Sequence, residues 1–479
     1  MFYSKKFFSV IALKSLYFGW LLSFPFYGPV LHAAAPEHDF WGVSLPLVFT
    51  FFHAISFVGG ALFLKKVLHW KRLINAGLAT TLLLSLMLPF FPPAVWPWAM
   101  GILGIAGALF ILGWAYPYTV LVPMAGRIKL MASVIIGANV VYIIFNMLSQ
   151  LTPPFLLLFI SVVPLVLALL VLVFYPPTGG EVSTPVPSAA GQKSLFPGTL
   201  VLIICLFTAG LYLCSGFMYN IMQPLLSTAS PLFIYYRYVP YIAVLIIMWR
   251  FGSQLRWYFS IYMGVSLLGL SFVSFAFSYD SAAGLFVTTN LIEAAYAFLD
   301  LFLWTLLGDL AFIYGAPFQF FGFSLAAMLF SILAGELIGV QLLLIGENYP
   351  LVTALFAAAA IFLTFSVVPW LNERVNLEFQ QTVKEGNAAK GDDAAKVDPL
   401  ERAIQMLPPQ EELTPRETEI TALLLKGITN REISRQLFIS ENTLKTHLRH
   451  IYSKFGVAQK RELFSLVVED NRDIPPSGK

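Results

Sequence analysis

Long apolar segments recur along most of this chain, and they constrain its fold more than any other feature. An α-helix needs about 20 predominantly apolar residues to cross the hydrocarbon core of a bilayer. Twelve segments of that kind precede residue 372. We therefore predict an all-α bundle of about twelve membrane spans, at 10–33, 41–64, 73–92, 95–116, 130–150, 153–175, 198–220, 231–249, 257–278, 283–307, 318–345 and 350–371.

Charged residues divide the chain into two parts that suit different solvents. Residues 1–371 hold 13 Lys and Arg and 9 Asp and Glu, whereas residues 372–479 hold 16 and 17. A soluble chain carries about a quarter charged residues, and the first part falls far below that fraction. The predicted organisation is a polytopic membrane domain at 1–373, with halves at about 1–175 and 198–373, a linker at 374–410, a polar domain at 411–470 and a tail at 471–479.

Basic residues also predict how the bundle is oriented. Lys and Arg are enriched in the cytoplasmic loops of membrane proteins. If the N-terminus is cytoplasmic, twelve of the thirteen basic residues before residue 372 fall on the inner side, among them Lys14 and Arg127. The thirteenth, Arg237, lies within a span. Twelve crossings then return the C-terminal domain to the cytoplasm, where DNA is.

The arrangement of the spans resembles a known transporter architecture. A loop rich in Pro, Gly and Ser at 176–197 divides the spans into six and six. The basic loop after the second span (KKVLHWKR) has a counterpart after the eighth (RFGSQLR). This pattern resembles the major facilitator superfamily, which carries a basic loop at these two places. The glycine-and-aspartate loop motif of that family is missing after the second span, so the resemblance leaves transport activity open.

The few ionisable residues within the spans are candidates for function, because a charge inside a membrane is costly. Glu293 and Asp300 are seven residues apart, so they share one face of the tenth span. Arg237 lies in the eighth span at a depth comparable to Glu293, beside Tyr236. Two interpretations remain open. One is a ligand cavity lined by these four residues and open to the outside, where Arg237 meets an anionic group or Glu293 a cationic one. The other is an Arg237–Glu293 ion pair without a ligand.

Other polar groups of the spans have structural interpretations. His53 is interpreted as a hydrogen-bonded packing residue, and Asp309 as a residue near a helix end at the membrane interface. The chain has no C-x-x-C pair, no Cys/His cluster, no nucleotide-binding loop and no catalytic triad. We therefore expect no catalytic residue, no metal ligand, no cofactor and no enzymatic activity.

Capping signals in the C-terminal segment predict a compact helical domain. Thr414 before Pro415 and Glu417 is typical of the start of a helix, and Thr429 predicts a second start. A third helix is predicted at 441–455, and a fourth, short helix at about 459–468. The third helix buries one apolar stripe and exposes cationic and polar residues that suit phosphates and guanine edges. Those exposed residues include Lys445, Thr446, Arg449 and Lys454.

This segment closely resembles the LuxR-type (GerE) helix-turn-helix. The match runs through LTPRE (413–417), GITNREI (427–433) and LFISENTLKTH (437–447), then through Ile451, Lys454, Val457 and Arg461. The resemblance implies that 441–455 is the recognition helix of a domain that binds double-stranded DNA. It implies base contacts from Lys445, Thr446 and Arg449, backbone contacts from Asn430, Thr443 and His447, and a homodimer formed around Leu463, Leu466 and Val467.

Combined, the two resemblances predict a membrane-embedded one-component transcription regulator. In this hypothesis the bundle senses a small-molecule ligand or a membrane signal, and the C-terminal domain binds DNA. The alternative is a transporter of the major facilitator type with a regulatory DNA-binding tail; a third possibility is that the bundle only tethers the DNA-binding domain. The resemblance to multi-pass LuxR-type regulators implies a bacterial cytoplasmic membrane, with the N-terminus and the DNA-binding domain in the cytoplasm.

Overall fold

A computed structural model of the chain describes residues 5–35, 44–64, 69–177, 197–222, 224–225, 236, 238–252, 257–388, 412–425, 428–460 and 462–463. Within these ranges every regular element is a helix, and no strand occurs. The predicted all-α class is confirmed.

The N-terminal half of the bundle contains eight helices in the described ranges. They are α1 (Lys5–Ser23), α2 (Pro29–Ala34), α3 (Leu45–Phe63), α4 (Trp70–Met87), α5 (Trp96–Leu121), α6 (Arg127–Leu151), α7 (Pro154–Ser161) and α8 (Val163–Phe174). Two of the predicted spans, 10–33 and 153–175, are therefore each divided into two helices. Proline explains both breaks, because it lacks a backbone N–H and clashes with the preceding turn. Pro25 lies between α1 and α2, where Tyr27 adopts a left-handed φ of 52°, and Pro164 follows the break between α7 and α8.

The C-terminal half contains six helices in the described ranges. They are α9 (Gly198–Phe217), α10 (Tyr238–Phe251), α11 (Trp257–Ser278), α12 (Ala282–Tyr314), α13 (Pro317–Leu343) and α14 (Tyr349–Ala388). Helix α9 continues as a π-helical turn at Met218–Met222. Helix α14 runs on to Ala388, so the first part of the predicted linker is helical. Glu, Gln, Lys and Leu in that part are good helix formers, which explains the extension.

Helix length agrees with most of the predicted crossings. Ten helices of the described residues are long and apolar enough to cross a membrane, and two shorter apolar helices, Phe7–Ser23 and Tyr238–Phe251, lie in the remaining two predicted spans. The first of these is part of α1, which ends at the break before Pro25. The start of the other predicted span, 231–249, lies largely outside the described residues.

The two halves repeat the same packing arrangement. In the first half α1 packs on α6, α3 on α5 and α4 on α5. The corresponding contacts of the second half are α9 on α13, α10 on α12 and α11 on α12. Between the halves, α3 packs on α13 and α6 on α10. Each contact has a counterpart six spans away, so the bundle is built from two similar halves that face each other.

The C-terminal segment forms a small domain with its own core. Its helices are α15 (Pro415–Leu425), α16 (Asn430–Gln436) and α17 (Glu441–Lys454). The predicted cap Thr429 is present and forms a capping box with Glu432 at α16, and Ser440 caps α17. The core consists of Ile420, Leu424, Leu425, Ile433, Leu444, Leu448, Ile451, Phe455 and Leu463.

Candidate DNA-binding surface and ligand cavity

Helix α17 presents a polar face because its apolar residues all point into the domain. Leu444, Leu448 and Ile451 are buried, which leaves the opposite face to solvent. The Oγ atom of Ser440 accepts a hydrogen bond of 3.0 Å from the backbone N–H of Thr443 and fixes the start of the helix. The side chains predicted to contact DNA have the following exposure: Lys445, Thr446, Arg449, Asn430 and Thr443 are exposed, and His447 is half-buried.

Lys454 has a role that the sequence interpretation missed. Its Nζ atom donates to the carbonyl oxygen of Glu412 at 2.7 Å and pairs with Oε2 of Glu417 at 2.7 Å. Glu417 is only 3% exposed, so the pair joins the end of α17 to the start of α15 inside the domain. The ammonium group of Lys454 is engaged within the fold, and its predicted DNA contact stays a prediction.

The environment of Glu417 strongly favours its ionised form. Burial by itself raises the pKa of this carboxyl group. Hydrogen bonds from Lys454, from the backbone N–H of Thr414 and from the Thr414 hydroxyl outweigh that effect and lower the pKa to about 2. The backbone N–H of Glu417 in turn donates to Oγ1 of Thr414 at 3.3 Å, which confirms the predicted capping box.

The residues predicted to form a dimer contact are only partly described. Leu463 is 1% exposed and belongs to the core of its own domain. Leu466 and Val467 lie outside the described residues, as does most of the predicted fourth helix. Leu463 is therefore engaged in the fold of one chain, and the dimer contact stays a prediction.

A cavity of about 170 Å³ lies between the two halves of the bundle. Its wall comes from α1, α3, α5 and α6 of the first half and from α9, α10, α12 and α13 of the second. Glu293 and Asp300, predicted to share one face of a helix, both line this cavity from α12. Much of the remaining wall is aromatic. Six tyrosines line it: Tyr27, Tyr142, Tyr212, Tyr238, Tyr241 and Tyr296.

Asp300 is held at both of its carboxylate oxygens. Tyr212 donates its hydroxyl hydrogen to Oδ1 of Asp300, and Tyr241 donates to Oδ2 at 2.6 Å. The three residues belong to α9, α10 and α12, so the carboxylate ties three helices of the second half together. Both carboxylate oxygens accept a hydrogen bond, which stabilises the negative charge at this position.

The other two predicted ligand residues are placed differently. Tyr236 donates to Oδ1 of Asn290 at 3.1 Å and stacks on Phe286 with ring centroids 5.0 Å apart. It is not among the residues that line the cavity. Arg237 lies outside the described residues. The alternative of an Arg237–Glu293 ion pair therefore stays a prediction. Within the described ranges, no three His, Cys, Asp or Glu side chains are grouped so that they could hold a metal ion.

A fully buried ion pair joins the two halves on one side of the cavity. Arg127 of α6 donates from Nη1 to Oδ1 of Asp309 of α12 at 2.6 Å, and both side chains have no exposed area. Arg127 also donates from Nη2 to the carbonyl oxygen of Thr119 at 2.7 Å. Asp309, which the sequence analysis placed at the membrane interface, is fully buried in this pair. Arg127 precedes the predicted span 130–150 and Asp309 follows the predicted span 283–307, and their common place on the predicted inner side was the signal available in the sequence.

Lys14 of α1 is buried among aromatic rings near the cavity. Its Nζ atom lies 4.3 Å from the ring centroid of Trp304, 4.8 Å from that of Phe18 and 5.2 Å from that of Trp114. Such cation–π contacts offset part of the cost of removing an ammonium group from water. The sequence interpretation placed Lys14 at the inner end of the first span. In the structure Lys14 lies within α1 and has no exposed area.

A second contact joins the halves on the opposite side of the cavity. Tyr27, which lies between α1 and α2, donates to Oε2 of Glu336 on α13 at 2.5 Å. Helices α12 and α13 are antiparallel neighbours joined by a turn at Gly315. Asp309 lies near the end of α12 and Glu336 towards the end of α13, so their contacts lie at opposite ends of the cavity.

Comparison with known proteins assigns the C-terminal domain. Residues 411–467 match the family of bacterial regulatory proteins described as the luxR family. Residues 411–467 are a LuxR-type helix-turn-helix domain. The family match covers a short segment of the chain. It agrees with the three described helices and with the exposed polar face of α17.

The curated relatives match a short part of the chain. The transcriptional regulatory protein LiaR of Bacillus subtilis (strain 168) is 46% identical over 54 residues, which are 11% of this chain and 26% of LiaR. The CsgBAC operon transcriptional regulatory protein of Escherichia coli (strain K12) is 49% identical over 53 residues, or 11% of this chain and 24% of that protein. The chain spans 10% of the length of the mycobacterial relatives that it matches.

The bundle is similar in fold to solved transporter structures. A bacterial homologue of the iron transporter ferroportin, in its outward-facing state, aligns with a TM-score of 0.50 and 14% identity over 77% of this chain and 98% of that chain. The Major Facilitator Superfamily transporter FucP, in its outward conformation, aligns with a TM-score of 0.52 and 13% identity over 76% and 99%. The bundle is therefore similar in fold to these transporters.

Two basic residues position the recognition helix of the LuxR-type domain, and sequence reasoning assigned neither. Arg416 donates from Nη2 to the carbonyl oxygen of Leu437 at 2.6 Å, at the turn between α16 and α17. Lys460 donates from Nζ to the carbonyl oxygen of Ile428 at 2.9 Å. Burial lowers the pKa of Lys460, the charge of Glu432 raises it, and the result is a pKa of about 8.

Proposed function

We propose that this protein is a membrane-embedded one-component transcription regulator. In this proposal the bundle binds a small molecule or responds to a membrane signal, and the LuxR-type domain binds DNA. The observation that carries the proposal is the union, in one chain, of a LuxR-type domain with an exposed polar recognition helix and a bundle with a cavity between its halves. The proposal includes no enzymatic role.

The proposed DNA contacts follow from the exposed face of α17. Lys445, Thr446 and Arg449 lie on this face, where their side chains can reach base edges in a major groove. Three more residues are proposed to contact the backbone: Asn430, Thr443 and His447. A homodimer on DNA is part of the proposal, because helix-turn-helix domains commonly read two half-sites as a dimer.

The proposed location is the bacterial cytoplasmic membrane, with twelve crossings and with both termini in the cytoplasm. Ten basic residues still lie on the predicted inner side when the buried Lys14 and Arg127 are left out. The Arg127–Asp309 pair then closes the cavity on the cytoplasmic side. In the same orientation the Tyr27–Glu336 contact joins the halves on the outer side.

Helix α14 offers a physical route from the bundle to the LuxR-type domain. It is a single helix of 40 residues, which corresponds to about 60 Å, or twice the thickness of the hydrocarbon core. Its first part packs on α9 and α11 of the second half. A displacement of that half is therefore passed to the chain segment that leads into the DNA-binding domain. A ligand shifts this equilibrium only if it binds the two states of the bundle unequally.

The test of this proposal is specific DNA binding by the full-length protein in lipid nanodiscs. The probe is DNA from the region upstream of the protein's own gene, at fixed salt concentration. Replacing Lys445 and Arg449 by Ala removes two proposed base contacts and weakens specific binding by about 2 kcal/mol or more, which is about 30-fold. The matched control replaces the exposed Lys71 and Arg374, which removes the same charge outside the domain and leaves the affinity unchanged.

Two results would contradict the proposal. One is a wild-type protein that binds this DNA no better than a shuffled sequence. The other is a double variant with the affinity of the control.

A second candidate function is transport with a regulatory tail. The two similar solved structures are those of transporter proteins, and the cavity lies where the halves of the bundle meet. Uptake into vesicles that stops when Asp300 is replaced by Asn would favour this candidate. Ligand-dependent DNA binding without uptake would favour the sensor.

A further inference from the structure

The described wall of the central cavity carries negative charge. Glu293 and Asp300 line it, and none of the lining residues that the structure describes is a Lys or an Arg. Arg237 lies outside the described residues. Lys14 does not line the cavity, and its ammonium group lies over the rings of Phe18 and Trp304.

The tyrosines around Asp300 present ring faces to a ligand, because their hydroxyl hydrogens have acceptors within the protein. Tyr212 and Tyr241 donate to Asp300, and Tyr296 donates to the carbonyl oxygen of Leu211 at 3.3 Å. These hydrogen bonds hold the rings in place. The face of an aromatic ring is electrostatically negative and attracts cations, whereas it repels anions.

His53 is a further polar group on the opposite wall of the cavity. His53 of α3 lines the cavity and is 3% exposed. Its Nδ1 atom has no hydrogen-bond partner among the described residues. A buried polar atom without a partner is costly unless a bound molecule or water satisfies it.

We propose that the ligand of this cavity is a small organic cation, in which an ammonium group is attached to an apolar body. Asp300 is its counter-ion, and the rings of Tyr212, Tyr241 and Tyr296 surround the charge. The cavity volume of about 170 Å³ limits the ligand to a size below that of a drug-like molecule, whose pockets reach about 300–1,000 Å³. This inference rests on the proposed function of the cavity as a ligand site, and it adds the chemical class of the ligand.

The test compares three probes that share a phenyl ring and nearly the same size but differ in charge. They are 2-phenylethylammonium, neutral 2-phenylethanol and anionic phenylacetate. Binding to the full-length protein in nanodiscs is measured by calorimetry at neutral pH, with empty nanodiscs subtracted. We expect the cation to bind at least about tenfold more tightly than the alcohol, because a charge-assisted contact replaces a neutral one. We expect no measurable binding of phenylacetate.

Variants then identify the counter-ion. Asp300→Asn keeps the volume and an acceptor oxygen but removes the charge, so it lowers the affinity for the cation at least about tenfold and leaves that for the alcohol unchanged. Asp280→Asn is the matched control, because it makes the same change at an exposed turn. Tyr241→Phe removes one hydroxyl but keeps the ring, so it retains preferential binding of the cation. If Asp300→Asn fails to fold, the selectivity of the wild type among the three probes still decides the question.

Four results would overturn the inference: tighter binding of phenylacetate, equal binding of the alcohol, no binding of any probe at millimolar concentration, or unchanged cation binding by Asp300→Asn. The proposed regulatory function is tested separately by the DNA affinity of the same preparation. Selective cation binding without a change in DNA affinity would support the inference and contradict the sensor. A change in DNA affinity caused by phenylacetate would do the reverse.

Discussion

The Glu417–Lys454 ion pair predicts a large loss of stability when Glu417 is replaced by Gln. Glu417 is buried, and its pKa is lowered from 4.5 to about 2 by hydrogen bonds that outweigh the effect of burial. A pKa change of one unit corresponds to 1.36 kcal/mol, so this carboxylate contributes about 3 kcal/mol to the LuxR-type domain at neutral pH. Gln retains the size of Glu and loses the charge. We therefore expect Glu417→Gln to lower the free energy of unfolding of this domain by about that amount.

Hydrogen–deuterium exchange in the full-length protein measures this effect without interference from the bundle. Amides in the core of α15 and α17 exchange through unfolding of the domain. A loss of about 3 kcal/mol accelerates their exchange about a hundredfold. The matched control is Glu419→Gln on the same helix, where the ion pair with Arg416 is largely exposed. Exposed pairs contribute about 0–1 kcal/mol, so the control changes exchange only a few-fold.

The sign of the pH dependence follows from the lowered pKa. A carboxyl group with a lower pKa in the folded state contributes stability above its unfolded pKa, and that contribution is lost as the pH falls through the folded value. The wild-type domain therefore loses the contribution of Glu417 between pH 4.5 and about pH 2, and Glu417→Gln lacks this dependence. Exchange in Glu417→Gln that stays within a few-fold of the wild type, as in the control, would refute the reasoning.

Three further predictions concern separate contacts. Lys454→Gln accelerates exchange in the LuxR-type domain, because it breaks the ion pair with Glu417, whereas Arg449→Gln weakens DNA binding without that effect; equal effects of both on exchange would contradict the assignment. Arg127→Gln or Asp309→Asn lowers bundle stability by about 3–5 kcal/mol in thermal unfolding, and the double variant loses less than the two single losses combined, because no uncompensated charge remains. Gly216→Ala destabilises the bundle, because its Cβ would lie 2.3 Å from a backbone oxygen of α13; wild-type unfolding would contradict this close approach.

Local sequence patterns predicted much of the fold, because the interactions behind them join residues close in sequence. A capping box needs residues only three positions apart, and Thr414 with Glu417 forms the predicted one. Apolar segments of sufficient length form helices wherever water is excluded, so the described spans lie where they were predicted. The heptad spacing that placed Glu293 and Asp300 on one face also followed from helix geometry alone.

Contacts between distant residues were beyond the reach of the same patterns. Arg127 and Asp309 are 182 residues apart and meet because the two halves face each other. Lys454 was assigned to the DNA-binding surface by its place on an amphipathic helix, yet its stem reaches the start of α15 and binds Glu417. The periodicity of a helix indicates which of its faces is polar. It does not indicate which residue a long side chain on that face contacts.

The sequence by itself determined which part of this protein suits a membrane and which part suits water. It also determined the helical class of both parts and the LuxR-type domain, because hydropathy, capping and short motifs act locally along the chain. Only the tertiary structure decided what the polar residues of the membrane part do. It brought Asp300 to two tyrosines from other helices, enclosed Lys14 among aromatic rings and paired Arg127 with Asp309. The physical reason is the same in each case: in a low-dielectric interior every polar group needs a partner, and the packing of helices far apart in sequence selects it.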